Sequence, residues 1–357
     1  MRIESKAPTR IDLAGGTLDI WPLYLFHEGA LTVNCAITRY ASCVIETDSS
    51  QAILPSSGQA SGARTRPNKS RRIVLASRDT KRRESFSSLE ALCRAQRYKL
   101  PLLAHLVRVF RPTVGFTLTT DSEAPAGAGI GGSSAMAVAI CAALDRLTNA
   151  GLRREDWIHI SRDVEAIVIR VPTGTQDHYP PAFGGAAAIV LAAGGERRET
   201  LGCDLDELER RVVLCYTGKP RQSGINNWEV FKRHIDGDRR VAQNLEKISA
   251  VAKAVRAALE RNAWSEVGRL VREEWEFRRR NLRTISTPVI DRIISSARRQ
   301  GAIGGKVCGA GGGGCLTLII EPEARTRVEA AVMAAGGTLL PLRIDRDGVQ
   351  VRSDVAS

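Results

Sequence analysis

Little in these 357 residues suits a membrane, a metal cluster or a disulfide scaffold. The longest apolar stretch, 135–144, falls far short of the roughly 20 residues that a spanning helix needs. Eight cysteines, at 35, 43, 93, 141, 203, 215, 308 and 315, include no Cys-x-x-Cys pair, so the usual zinc-ligand spacings are absent. Most lie in apolar runs and are expected to be buried, reduced thiols. Residues 1–7 are polar and hold no apolar signal core. A soluble, cytoplasmic protein is expected. Aromatic residues make up only 5% of the chain, and Trp157, Trp228, Trp264 and Trp275 read as helix-packing residues.

Acids are outnumbered. Fifty-two Lys and Arg against 39 Asp and Glu leave a net charge of +13, which suits nucleic acid, an anionic surface or a phosphorylated ligand. The densest basic stretch, 64–83, has nine Lys or Arg and one acid, Asp79, yet no aromatic side chain on which bases would stack. It reads as a solvated basic hairpin or loop, or as a surface that steers anionic substrates. Neither nucleic acid nor membrane is an expected partner.

What is present is a folding composition, 43% hydrophobic and 25% charged, in a chain long enough for one large domain or two ordinary ones. Residues 31–47, 72–77, 113–121 and 186–191 read as strands, with a polar loop at 49–68. A small-residue helix is predicted at 135–147 and a second helix at 154–169. The run 194–202 reads as a turn near a domain boundary. The second half has a strand at 211–216 and helices at 241–262, 264–281 and 288–300. Strands at 304–308 and 315–320, a helix at 323–335 and a strand at 338–343 follow. This split β-α-β pattern predicts a ferredoxin-like α+β unit.

Glycine is abundant, at 32 residues, and concentrated. Two stretches match Gly-x-Gly-x-x-Gly: Gly127, Gly129 and Gly132, then Gly309, Gly311 and Gly314. Neither sits as a dinucleotide turn should. The acid about 20 residues after the first, Asp145, lies on a helix rather than at a strand end, and the second leads into a strand. The first suits phosphate better. Glycines let backbone N–H groups converge on an anion at a helix N-terminus. Ser133 and Ser134 open that helix, one hydroxyl suited to capping or phosphate and the other to magnesium. No lysine follows, so this is no Walker loop.

Three segments together carry a resemblance. Pro125-x-x-x-Gly129-Ile130-Gly131-Gly132-Ser133-Ser134-Ala135 resembles the second signature of the GHMP kinases. The segment Ala7-Pro8-Thr9-Arg10-Ile11-Asp12-Leu13-Ala14-Gly15-Gly16-Thr17-Leu18-Asp19 resembles the first, and Cys308-Gly309-Ala310-Gly311-Gly312-Gly313-Gly314-Cys315 the third. The resemblance implies an α+β fold: a domain like ribosomal protein S5 domain 2 at 1–195 and a ferredoxin-like domain at 196–357.

It also implies ATP and Mg2+, with ATP held by Pro125, Gly127, Gly129, Gly131, Gly132, Ser133 and Ser134. Ser134 and Glu165 would hold the metal. Asp177, in Gly174-Thr175-Gln176-Asp177-His178-Tyr179, matches the family's catalytic aspartate, with Arg10 as an aid to the nucleophile or a structural partner. Gly16, Thr17, Asp19, Gln176, His178, Gly311 and Gly312 are the expected substrate contacts. The cationic loop 216–224 reads as an anion-contacting lid or a solvated loop.

The sugar-kinase branch, with the heptose 7-phosphate kinases, shares RIDLAGGTLDI and the TQD…AFGG segment. Thr175 stands where those kinases have lysine. The Glu-His of the galactokinase form of the first signature is missing. The expected activity is ATP-dependent phosphorylation of a hydroxyl of a sugar or sugar phosphate, with the anomeric hydroxyl of a heptose 7-phosphate as one candidate, by a monomer or homodimer. Other readings are a kinase of galactose, fucose or arabinose, a GHMP-fold protein that binds ligand without catalysis, and an oxidoreductase.

Overall fold

The computed structural model describes residues 1–47, 71–220 and 224–354. The loop expected at 49–68, the start of the basic segment and residues 221–223 of the cationic loop lie outside the described residues.

The chain opens with a long strand, β1 (Arg2–Ala14). Its side chains alternate in and out as far as Lys6 and are buried on both faces from Ala7 onward. β2 (Leu31–Glu46) follows, then the hairpin β3 (Ile73–Ser77) and β4 (Arg82–Phe86). The described part of the basic segment is therefore a hairpin, with β3 buried and β4 facing solvent. Two helices, α1 (Leu89–Arg94) and α2 (Pro101–Phe110), lead into β5 (Phe116–Ser122).

Next come α3 (Gly132–Thr148), α4 (Arg154–Ile169) and the short α5 (Tyr179–Phe183). β6 (Ala186–Ala192) and β7 (Gly195–Thr200) then form an antiparallel hairpin. The predicted turn at 194–202 is thus mostly strand. Its polar run conceals an edge strand whose charges are ion-paired outward, Glu196 to Arg162 at 2.8 Å and Glu199 to Arg256 at 2.6 Å.

The first sheet runs β1-β2-β5-β3-β4, with β6 on β2 and β7 on β6. Only the β3–β5 pair is parallel. Helix α3 packs on β1, β2, α2, α4 and α5. Residues 134–144 are buried on every side of this helix, and its alanines permit that depth because they let neighbouring backbones come close.

The second half holds α6 (Leu205–Arg211), β8 (Val212–Tyr216), α7 (Ile225–Ile235), α8 (Arg239–Glu260), α9 (Trp264–Arg279) and α10 (Pro288–Arg299). After these come β9 (Ala302–Val307), β10 (Cys315–Ile320), α11 (Arg325–Ala334) and β11 (Thr338–Leu339). The sheet order β11-β8-β10-β9 is antiparallel throughout, with β10 inserted between β8 and β9. This is the split β-α-β arrangement expected of a ferredoxin-like unit. β11 stops at Leu339, short of the predicted 343, because Pro341 lacks the N–H a ladder needs.

A last strand, β12 (Gln350–Asp354), returns to pair with β1. The first sheet therefore draws strands from both sides of the expected 195/196 division. None of the eight cysteines is in a disulfide, and six of them are buried. No helix among the described residues is long and apolar enough to cross a membrane.

Candidate active site

The glycine loop between β5 and α3 owes its shape to left-handed backbone at Gly127, Gly129 and Gly131, with φ of 67°, 75° and 73°. Its carbonyls are turned onto the protein. Pro125 O accepts from Ala128 N (2.9 Å), Ala128 O from Cys315 N (2.6 Å) and Ile130 O from Arg10 N (3.0 Å). Gly129 O accepts from Arg10 Nη1 at 2.9 Å. With the carbonyls occupied behind, the remaining N–H groups and the unpartnered first turn of α3 form the donor face of a cavity of about 410 Å3. That is the size of a small-ligand cleft.

Arg10, 1% exposed, joins three distant segments. Nε and Nη2 both donate to Asp177 Oδ1, at 2.9 and 2.5 Å, while Nη1 reaches Gly129 O and also Cys308 O at 2.6 Å. Both bonds to Asp177 land on one oxygen. Oδ2 keeps its lone pairs, and the side chain stays partly open to the cavity it lines.

At the head of α3, Ser134 Oγ donates to Glu165 Oε2 at 2.8 Å, and His178 Nε2 lies 3.1 Å from the same oxygen. Burial opposes charge on Glu165, yet hydrogen bonds from His178, Ser133 and Ser134 hold its carboxyl below the usual range. These hydroxyl and carboxylate oxygens fit a small, hard cation. No cluster of three His, Cys, Asp or Glu able to hold a metal occurs among the described residues. Such an ion would complete its shell with phosphate oxygens and water, as Mg2+ does.

A second carboxylate, Asp19, is buried and accepts from Gln176 N at 3.0 Å and Gln176 Nε2 at 3.4 Å. Burial pushes its pKa up to about 6, and the negative charges of Asp177 and Asp12 add to the shift. Residue 174 has to be glycine beside it, since a Cβ there would stand 1.8 Å from Asp19 Oδ2. Thr17, at φ 81°, donates to Asn227 Oδ1 at 3.0 Å and receives Arg278 Nη2 at 3.4 Å.

Arg10, Thr17, Asp19, Pro125, Gly127, Gly129, Gly131, Gly132, Ser133, Ser134, Glu165, Gln176 and Asp177 all line one cavity. Four expected contacts do not. Gly16 faces Arg278 and Asp12, while His178 is fully buried behind Glu165. Gly311 packs on Ile285, and Gly312 on Asn226 and Thr284. The third glycine run instead reaches the cavity through Gly309 and Ala310, and Gly314 presses on Ala128 O, 2.6 Å from where a Cβ would be. The described part of the cationic loop sits beside that run, with Lys219 O accepting from Gly314 N at 2.9 Å.

Three contributors were not legible from motifs: Asn227 on α7, Arg278 on α9, and the wall formed by Ser77, Thr80, Arg82 and Lys99–Leu103. None belongs to a glycine run. Arg278 carried one signal only, a cation on the same helical stripe as Val267, Val271 and Trp275.

Two family models match separate parts of the chain. Residues 97–185 match the GHMP kinases N terminal domain, and 255–337 match the GHMP kinases C terminal. The chain carries the N- and C-terminal domains of the GHMP kinases. It is thus a phosphotransferase with an alcohol group as acceptor. A D-glycero-alpha-D-manno-heptose 7-phosphate kinase from Campylobacter jejuni is 24% identical over 98% of both chains. The crystal structure of a D-glycero-D-manno-heptose 1-phosphate kinase from Bacteroides thetaiotaomicron superposes with a TM-score of 0.74. It is 25% identical and covers 99% of this chain and 100% of that one. Lactococcus lactis galactokinase, complexed with galactose, shares the fold with a TM-score of 0.78 at 17% identity, covering 98% and 95%.

Proposed function

We propose that this GHMP kinase transfers the γ-phosphoryl group of ATP to a hydroxyl of a sugar or sugar phosphate. The observation that carries this reading is the convergence of Arg10, Asp177 and the glycine loop in one cavity. Phosphoryl transfer needs little covalent help from the protein. It needs phosphates held in line, charge offset and an aligned nucleophile.

The N–H face of the loop and the start of α3 hold the phosphates. A metal bound by Ser134 and Glu165 would offset charge on the β- and γ-oxygens. Asp177 Oδ2 accepts the hydrogen of the acceptor hydroxyl, orienting its oxygen and taking the proton as the bond to phosphorus forms. Arg10 fixes the rotamer of Asp177 from behind, and its guanidinium keeps positive charge beside the developing transition state. Asp19, Thr17 and Gln176 hold further acceptor hydroxyls. The wall with Lys99–Leu103 and Ser77 takes the nucleoside end of ATP. His178, behind Glu165, orients that carboxylate.

The test is ADP release with Mg-ATP over heptose 7-phosphate, galactose, fucose, arabinose and mevalonate. Silence on every sugar would sink the reading. With the best acceptor, Asp177→Asn is expected to lower kcat by about 10²–10⁴ while ATP binding by calorimetry stays within about threefold. Retained turnover would move the catalytic role elsewhere.

A further inference from the structure

Beyond the fold-level likeness to sugar kinases, the acceptor side of the cavity has a charge balance that restricts what it takes. Arg278 reaches this side from α9 with its side chain 5% exposed. Its charge is matched from behind. Nη1 lies 3.3 Å from Asp12 Oδ2 and donates to Gly309 O at 3.0 Å, and Nε is 3.6 Å from Glu274 Oε1. Lys306, fully buried, lies 3.0 Å from Asp12 Oδ1 and 2.9 Å from Glu274 Oε2. Two cations and two carboxylates, from β1, α9 and β9, thus close on one another in a buried quartet that meets the cavity only through Arg278.

Arg10 is matched by Asp177. Asp19 has no cation within ion-pair distance among the described residues, and Thr175 next to Gln176 is uncharged and buried. Among the described residues, three cations therefore face four carboxylates around the acceptor. The remaining cations on the cavity lining, Arg82 and Lys99, belong to the wall built by β4 and the start of α2.

An anionic group entering beside Asp19 and Arg278 would be desolvated where, among the described residues, each nearby positive charge already has its partner and one negative charge is in excess. Hydroxyls meet a different situation. Asp19 and Asp177 Oδ2 offer acceptors, while Arg278 Nη2 and the Asn227 amide offer donors. Vicinal hydroxyls, each both donor and acceptor, satisfy such an alternating set.

We propose that the part of the acceptor bound beside Thr17, Asp19, Asn227 and Arg278 is an uncharged polyol, with Arg278 orienting its hydroxyls. This rests on the kinase reading above and narrows it to an unphosphorylated sugar.

The experiment compares kcat/KM for matched pairs under Mg-ATP: D-glycero-D-manno-heptose and its 7-phosphate, mannose and mannose 6-phosphate, galactose and galactose 6-phosphate. In the best pair the neutral sugar is expected to lead by at least about tenfold. Equal or better turnover of the phosphorylated member overturns the inference and leaves the kinase reading standing. Silence on all pairs overturns both. Arg278→Gln should raise KM for the neutral sugar by about tenfold or more with KM for ATP unmoved. If that variant does not fold, Arg278→Lys carries the same comparison. An unmoved acceptor KM, with only the melting temperature lowered, would make Arg278 a packing residue.

Discussion

Arg10 makes four side-chain hydrogen bonds to three segments, one from each signature region or its neighbour: Asp177, Gly129 and Cys308. Lysine, with one nitrogen, cannot reproduce a fork of this reach. Arg10→Met leaves Asp177 unpaired and two carbonyls without donors, so stability should fall by about 3 kcal/mol, read by urea unfolding. Arg10→Lys should recover part of the stability and little of the kcat. Asp19 supports a prediction of different sign. Its folded pKa, near 6, lies above the ordinary carboxylate value of 3.8. The folded state therefore binds a proton more tightly than the unfolded chain, and stability falls as pH rises from about 4 through 6. Asp19→Asn removes that buried charge. Its melting temperature should exceed the parent's at pH 8, by an effect on the order of 3 kcal/mol, and converge with it only below about pH 3.8. A constant difference across pH would refute the assignment.

Among the elements, α3 shows most directly how packing supports the site. Its first turn presents the phosphate donors, and its middle is fixed by contacts on all sides, including Ser5 Oγ donating to Ala139 O at 2.7 Å. Ala139→Leu has no space to enter and should cost about 1–3 kcal/mol, seen as a lower denaturation midpoint. The glycine–serine turn and the run of alanines made this helix legible, and α4 and β10 came out at the bounds their patterns predict. β1 did not. It buries Thr9, Arg10 and Asp12, so chemistry overrides the alternation by which a strand is recognised. The charges of β7 concealed it in the same way, being satisfied by partners elsewhere in the chain. The Asp12–Glu274–Arg278–Lys306 quartet was out of reach for a related reason. Its members meet only after β1, α9 and β9 come together: Glu274 and Arg278 are neighbours on α9, but no local pattern points to Asp12, 266 residues before Arg278. Gly311 and Gly312 looked like site residues because glycine signals close approach without saying to what, and here they approach Ile285 and Thr284.

At the scale of the whole molecule, the two sheets share one cavity, and the chain crosses back at its end to place β12 on the outer edge of β1, pairing Arg2 with Asp354 through Lys6 with Gln350. No described residue after Ala310 lines the cavity. Ending the chain after Val349 should therefore lower the melting temperature by several degrees, on the order of 1–2 kcal/mol for a chain this size. Turnover measured well below that temperature should stay close to the parent's. Loss of ATP binding at low temperature would show that β12 shapes the site as well as the edge. The same strand sets an order of events during synthesis. β1 is made more than 300 residues before its outer neighbour, β12. While the residues between them are made, that edge stands open as a template for strands of other chains, and the first sheet is sealed only once β12 emerges.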